Sequence, residues 1–363
     1  MPPLRRPRRA PALLLAAACL AGCGAPERSV SGPALPRAAE AGERHLSRIR
    51  QLTFGGENAE AYWSFSGDRL VFQSTRPPYK ADQIFLMWPD GGRPTLVSTG
   101  LGRTTCAYFM PNDRRLLFAS THLASADPPK PPDRSHGYAW GIFEYEIFTV
   151  GTDGKDLRRL TDSKGYDAEA TVSPKGDRIV FTSSRDGDLD VYTMALDGTD
   201  VRRLTDEVGY DGGAVFSPDG TRIVYRGGHP DTQEGRDQFK ALLARGIVRP
   251  DRLEIRLMDA DGKNRTEVTH NGKANFGPCF TADGKRILFA SNVDDPAGRS
   301  FDLYLVNLDG TGLERVTTYT NERHDDFDGF PMFSPDGKRL VWCSNRFNER
   351  PHETNVFVAD WVE

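Results

Sequence analysis

Asp167, Asp211 and Asp328 each stand six residues before a four-residue stretch that recurs along the chain. Arg185, His229 and Arg346 each stand twelve residues after its first position. The same two offsets give Asn58, Thr104 and Asn275 in the early set, and Arg76, His122 and Val293 in the late one. If the stretch is a hairpin turn, the members face one another: Asp167 with Arg185, Asp211 with His229, Asp328 with Arg346. Such a set suits two roles. A ring of carboxylates, guanidiniums and imidazoles around an opening can grip a polar ligand or peptide through charge-assisted hydrogen bonds. A clasp inside a repeated unit would give the same spacing, because whatever a unit needs recurs with the unit. His122 and His229, with Asp211 and Glu169 near, could offer nitrogen and oxygen to a metal. Two histidines two units apart are thin support for that, so neither a metal nor another cofactor is expected.

The elements that would position these residues are strands. Gly165–Asp206 reads as four of them: Ala168–Ser173, Arg178–Ser183, Asp190–Leu196 and Val201–Thr205. Ser173-Pro174-Lys175-Gly176 turns the first into the second, with Pro presetting φ and Gly free to take it positive. Asp197-Gly198 turns the third into the fourth. Val, Ile, Phe and Tyr fill the strands, as a half-buried pleated sheet requires. One such sheet cannot bury both its faces. The pattern restarts at 217, 281 and 334, and in weaker form at 64 and 110. The ending recurs as Leu160-Thr161, Leu204-Thr205, Val268-Thr269 and Val316-Thr317. Six four-stranded units predict an all-β, six-bladed β-propeller.

Arg48–Thr53 matches a fourth-strand ending with no blade before it. The last repeat supplies three strands, Pro331–Ser334, Arg339–Ser344 and Asn355–Trp361, and no fourth. The N-terminal strand is therefore expected to complete the last blade and close the ring. Blades 2 and 4 carry long insertions between their second and third strands, at 122–144 and 227–251. The first holds Tyr138 and Trp140; in the second, Asp237–Ala244 has helical periodicity. Both insertions emerge on the face where first strands begin, opposite the Ser-Pro-Asp-Gly turns. Long loops on one face of a repeat array mark a binding face. The expected binding set there is His122, Tyr138, Trp140, Asp167, Glu169, Arg185, Asp211, His229, Asp328 and Arg346.

Ser-Pro-Asp-Gly, then Arg-Ile-Val, then Asp-Gly-Thr, then Arg-Arg-Leu-Thr resembles the WD40-like Pro-Asp propeller repeat of TolB propellers and their relatives, over roughly residues 48–363. The resemblance implies a periplasmic binding or assembly module whose partner is an envelope protein or a polar ligand. TolB binds a peptidoglycan-associated lipoprotein, but it carries an α/β domain ahead of its propeller and is not usually a lipoprotein. The alternative is a propeller enzyme, a uronic-acid lyase or a hydrolase, acting at the loop-rich face. Some lyases of that kind use histidine clusters.

Arg5, Arg6, Arg8 and Arg9 followed by the apolar run Ala10–Ala21 read as a secretory leader, too short for a stable span. Leu20-Ala21-Gly22-Cys23 resembles the bacterial lipobox, which implies cleavage after residue 22 and lipidation of Cys23. Gly24 after the cysteine leans toward the outer membrane. Residues 23–47, rich in Pro, Ala, Gly and Glu, read as a flexible tether, and 48–363 as one propeller domain. A formal net charge of −4 gives no global pull toward nucleic acid. A monomer is expected. Cys106, Cys279 and Cys343 fall on strands of different blades and read as buried free thiols. G-x-S-x-G, H-E-x-x-H and a phosphate-binding glycine loop do not occur. Asp186-Gly187-Asp188-Leu189-Asp190 lacks the Gly and Glu of a calcium loop and reads as an acidic hairpin.

Overall fold

The structure is a computed structural model that describes residues 32–133, 135, 137–323 and 325–363. The leader, Cys23 and His136 lie outside them. Six antiparallel sheets stand around an axis. Blade 3 has strands Asp167–Val172, Arg178–Ser183, Asp190–Ala195 and Arg202–Arg203 in spatial order. Blades 1, 2, 4 and 5 begin with Glu57–Trp63, Thr104–Phe109, Tyr210–Phe216 and Asn275–Phe280 and repeat the plan. Blade 6 joins Asp328–Phe333, Arg339–Ser344 and Asn355–Trp361 to the N-terminal strand Leu46–Gln51. The ring therefore closes through a strand from the opposite end of the chain. Leu46 and Ile49 pack in the core between blades 5 and 6, and Leu52 in the core between blades 6 and 1. The cores lie between neighbouring blades rather than within one, which is why no blade is stable alone. Among the described residues no helix is long and apolar enough to cross a membrane.

The repeated sequence signals have local causes. In the turn at 217, the Ser217 hydroxyl donates to Asp219 at 2.6 Å and accepts from the Arg222 backbone N–H at 2.9 Å. Gly220, at φ 63°, donates its N–H to the Ser217 carbonyl. The Leu-Thr ending is a latch. Thr205 Oγ1 accepts from the Val191 N–H at 2.9 Å and donates to Asp190 at 3.1 Å, at the start of the third strand. Thr161, Thr269, Thr317 and Thr53 make the same pair of bonds in blades 2, 4, 5 and 6, and Ser98 makes it in blade 1. A side-chain acceptor thus takes over from the backbone ladder. The outer strand is correspondingly short: Arg202–Arg203, where 201–205 was expected.

Residues 32–47 are not a free tether. Leu35–Pro36 pairs with the N-terminal strand, and Arg37 bonds Gln51. Glu43, 3% exposed, is ion-paired with Arg346 at 2.8 Å. Over residues 32–47 this departs from the flexible tether expected of 23–47, because polar, Ala- and Pro-rich composition says nothing about a single buried acid; residues 23–31 lie outside the described residues. The helix in the blade 4 insertion, α1, spans Gln233–Leu243. It starts earlier than periodicity alone indicated because Thr232 caps it, accepting from the Gly235 N–H at 3.1 Å.

Candidate functional site

Every first strand carries a bulge at the same place, four residues before its turn. The bulged residues are Glu60, Cys106, Glu169, Gly213, Gly277 and Phe330, all with φ between 51° and 59°. Four of the six are not glycine. Non-glycine residues in this region cost on the order of 1 kcal/mol or more each, and the surrounding ring holds them there. A bulge re-aims its side chain. Here it turns Glu60, Cys106 and Glu169 into an axial cavity of about 60 Å³, which Tyr62, Tyr108, Arg226 and Met332 also line.

Glu169 is fully used. It accepts from Thr182 Oγ1 and the Tyr210 hydroxyl, both at 2.7 Å, and from the Gly213 N–H at 3.0 Å, and it is ion-paired with Arg226. Burial pulls the Arg226 guanidinium down, but Glu169 and Tyr210 more than offset it and hold it charged. Glu60 is different. Burial pushes its carboxyl up to about 7; the Cys106 thiol is its hydrogen-bonding neighbour, and Glu169 acts on it through repulsion. Burial also pushes the Cys106 thiol well up, so it is a poor nucleophile.

The two insertions close one end of this cavity. Trp140–Gly141 from blade 2 pairs antiparallel with Ile247–Val248 from blade 4. Trp140 lies over the Arg226 guanidinium at 5.0 Å and against the rings of Tyr210 and Phe276, at 5.7 and 5.4 Å. Val248, Phe239, Leu243 and Phe143 add to the same cluster. Trp140, expected as an exposed aromatic, is therefore largely an internal lid. Tyr138 does stand out, 61% exposed.

The residues expected to ring the channel mouth form their pairs but do not line the axial cavity. The pairs form as the offsets indicated: Asp167 with Arg185 at 3.1 Å, Asp211 with His229 at 2.9 Å, Asp328 with Arg346 at 2.8 Å. None of these six residues lines the axial cavity. Arg185 lies over Phe181 and Tyr192, and Arg346 over Trp342 and Tyr319, so each pair folds back on its own blade. Asp167, Asp328 and Arg346 are at most 1% exposed and offer no surface to a ligand. Hairpin register fixed the partners, but it says nothing about which way the pair leans.

The histidines also separate. His122 bonds Ser120 at 2.9 Å and packs on Phe148 at 4.5 Å; burial lowers its pKa. His229 lies between Asp211 and Glu207, each at 2.9 Å. Burial works against its charge, yet Asp211 outweighs this and raises the pKa. His229 lines a cleft of about 410 Å³ between α1 and blade 4, with Phe239, Arg252 and Glu254. Among the described residues no three His, Cys, Asp or Glu side chains converge as metal ligands would. In the acidic hairpin, Asp186 accepts from the Tyr192 hydroxyl, Asp188 from two backbone N–H groups, and Asp190 from Arg203 and Thr205.

Glu60 and Arg226 were missed from sequence. The signal that finds them is the offset of four before and nine after each turn, where the bulge and its neighbour on the second strand sit. Glu169, chosen singly, belongs to that set.

The fold and this geometry define a closed six-bladed propeller with an axial cavity covered at the insertion end. The TolB beta propeller domain matches residues 143–241. The chain is 38% identical over 93 residues to the Tol-Pal system protein TolB of Alcanivorax borkumensis, a match covering 26% of this chain and 20% of that protein. It is 31% identical over 97 residues to an uncharacterized protein of Agrobacterium fabrum, covering 27% of this chain and 30% of that one. The matched stretch thus spans less than a third of either relative. The crystal structure of TolB from Acinetobacter baumannii superposes with a TM-score of 0.53 at 18% identity, over 85% of this chain and 64% of that one. An oligogalacturonate lyase in complex with manganese superposes with a TM-score of 0.52 at 14% identity, over 92% and 98%. At those identities the superpositions speak for fold alone. The chain is a six-bladed β-propeller that is similar to the TolB propeller over residues 143–241.

Proposed function

We propose that this chain is an envelope-associated binding or assembly module of the periplasm, held by a lipid at Cys23 in the outer membrane. Its partner, an envelope protein or a polar ligand, docks on the insertion face. The observation that carries this reading is the clasp between the two insertions. Chain from blades 2 and 4 meets to build one continuous surface, a device no blade needs for its own stability. The blade 2 insertion presents Tyr138 and Leu123, 61% and 57% exposed, and the blade 4 insertion lines the polar cleft around His229. Tyrosine is a usual carrier of interface energy, about 2 kcal/mol at a true hot spot. The matched TolB region supports the periplasmic assignment.

The test is capture of a partner from native envelopes by two double variants. Tyr138→Ala with Leu123→Ala should weaken capture about tenfold or more. Lys175→Glu with Lys338→Glu, on the opposite face, should leave it unchanged. Loss only in the second pair, both proteins being folded, would place the site on the wrong face. Depolymerisation of an acidic oligosaccharide by the purified protein would overturn the binding reading itself.

A further inference from the structure

The axial cavity is shut at the insertion end and continues toward the turn face. Tyr108, Val215, Cys279 and Met332 line both the cavity and a wider mouth of about 220 Å³. That mouth is bounded by Phe65, Pro174, Pro218, Phe280 and Pro335, from the turns and strand ends of five blades. A narrow, largely apolar passage therefore leads from solvent to a polar end wall of Glu60, Cys106, Glu169 and Arg226.

The charges on that end wall do not balance. Glu169 and Arg226 neutralise each other through their ion pair, and Glu169 has three further donors. Among the described residues, the hydrogen-bonding neighbour of the Glu60 carboxyl is a thiol, a weak donor. An ionised Glu60 leaves one uncompensated negative charge in an enclosed space, and a buried charge calls for a partner. The cavity could hold several waters, which is also room for an aminomethyl head. Tyr62 and Tyr108 border it, and aromatic rings attract a cation placed over their faces.

We propose that the axial cavity binds a primary ammonium group carried on a linear apolar chain, with Glu60 as its anionic partner and the turn-face mouth as its way in. The alkyl part lies along Tyr108, Val215 and Met332. Two sources share this chemistry: a free alkylamine, or a lysine side chain presented by a partner protein. The site lies on the opposite face from the docking surface proposed above, so the two readings stand or fall separately.

Affinity follows the ionisation of Glu60. The groups that act on it are Cys106, Glu169, Arg226 and Asp82, with Tyr62 beside them. Glu60 is mostly protonated at pH 6 and mostly ionised at pH 8, whereas an alkylamine is charged at both. Binding should therefore strengthen about tenfold across that interval.

Calorimetric titration of the folded propeller with pentylamine tests this, with pentanoate as the anionic control and N-acetyl-lysine amide as the second source. Saturable pentylamine binding in the millimolar range or tighter is expected, stronger at pH 8, lost in Glu60→Gln and absent for pentanoate. Binding of the lysine amide as well would assign the site to a partner's side chain; pentylamine alone would assign it to a free amine. Val215→Phe, which narrows the passage without touching Glu60, should also abolish binding. In that variant the carboxyl carbon signal of Glu60 should still titrate near neutral pH but no longer shift to lower pH on adding amine. Undiminished binding in Glu60→Gln, equal binding of pentanoate, or no saturable binding of either amine would overturn the proposal.

Discussion

Glu60 shows how a single residue can be costly where it sits. Burial raises its carboxyl to about 7, above the usual 4.5, so the folded protein holds its proton more tightly than the unfolded chain does. Stability from this group is therefore greatest below about pH 4.5 and is lost as pH rises toward 7. Glu60→Gln removes the ionisation and keeps the shape. It should leave stability near that of the parent at pH 4 and raise it at pH 8, on the order of 2 kcal/mol once solvent in the cavity screens part of the shift. Urea unfolding at the two pH values reads this directly. An equal difference at both would show that Glu60 is not the group that titrates. Asp302 has the same character, pushed up to about 7 by burial and by repulsion from Asp328, with the Arg315 ion pair only partly offsetting both.

Among the elements, the N-terminal strand carries the most for its length. It supplies the fourth strand of blade 6, residues to two inter-blade cores, and the Thr53 latch onto Asn355 and Val356. Deleting residues 46–54 should bare the edge of Asn355–Trp361 and strip Leu46, Ile49 and Leu52 from their cores. Each such loss costs about 2–5 kcal/mol, so the truncated chain should aggregate or melt far below the parent. A truncated protein that melts with the parent would refute the closure. The insertion ribbon is the opposite case: two paired residues from each side, with Trp140 packed on Tyr210 and over Arg226.

At the scale of the molecule, the propeller divides its roles between two faces. The insertions seal one end of the axis, and the turns frame the other. Proposed attachment to a membrane rests on Cys23, outside the described residues. Cys23→Ser should abolish incorporation of labelled palmitate and release the protein from membranes into the soluble fraction. Unchanged membrane association of that variant would remove the anchor from the account.

The blade count, the ring closure, the long insertions and the three pairings at 167, 211 and 328 were all legible in the chain. Each depends on local signals that repeat: a Pro-Gly turn, a period of two, a Leu-Thr ending, an orphan strand. The channel was not legible. Glu60, Cys106, Glu169 and Phe330 hold a left-handed backbone that nothing in their residue types announces. Only the crowding of six first strands around one axis puts a bulge there and aims the side chain inward. The sequence also could not show that Trp140 would fold over Arg226, or that Glu43 would be buried against Arg346, because these depend on partners far along the chain. Local chemistry determined the strands and their turns. The closed ring decided which polar groups face the axis, because only closure brings residues from six separate repeats to a common centre.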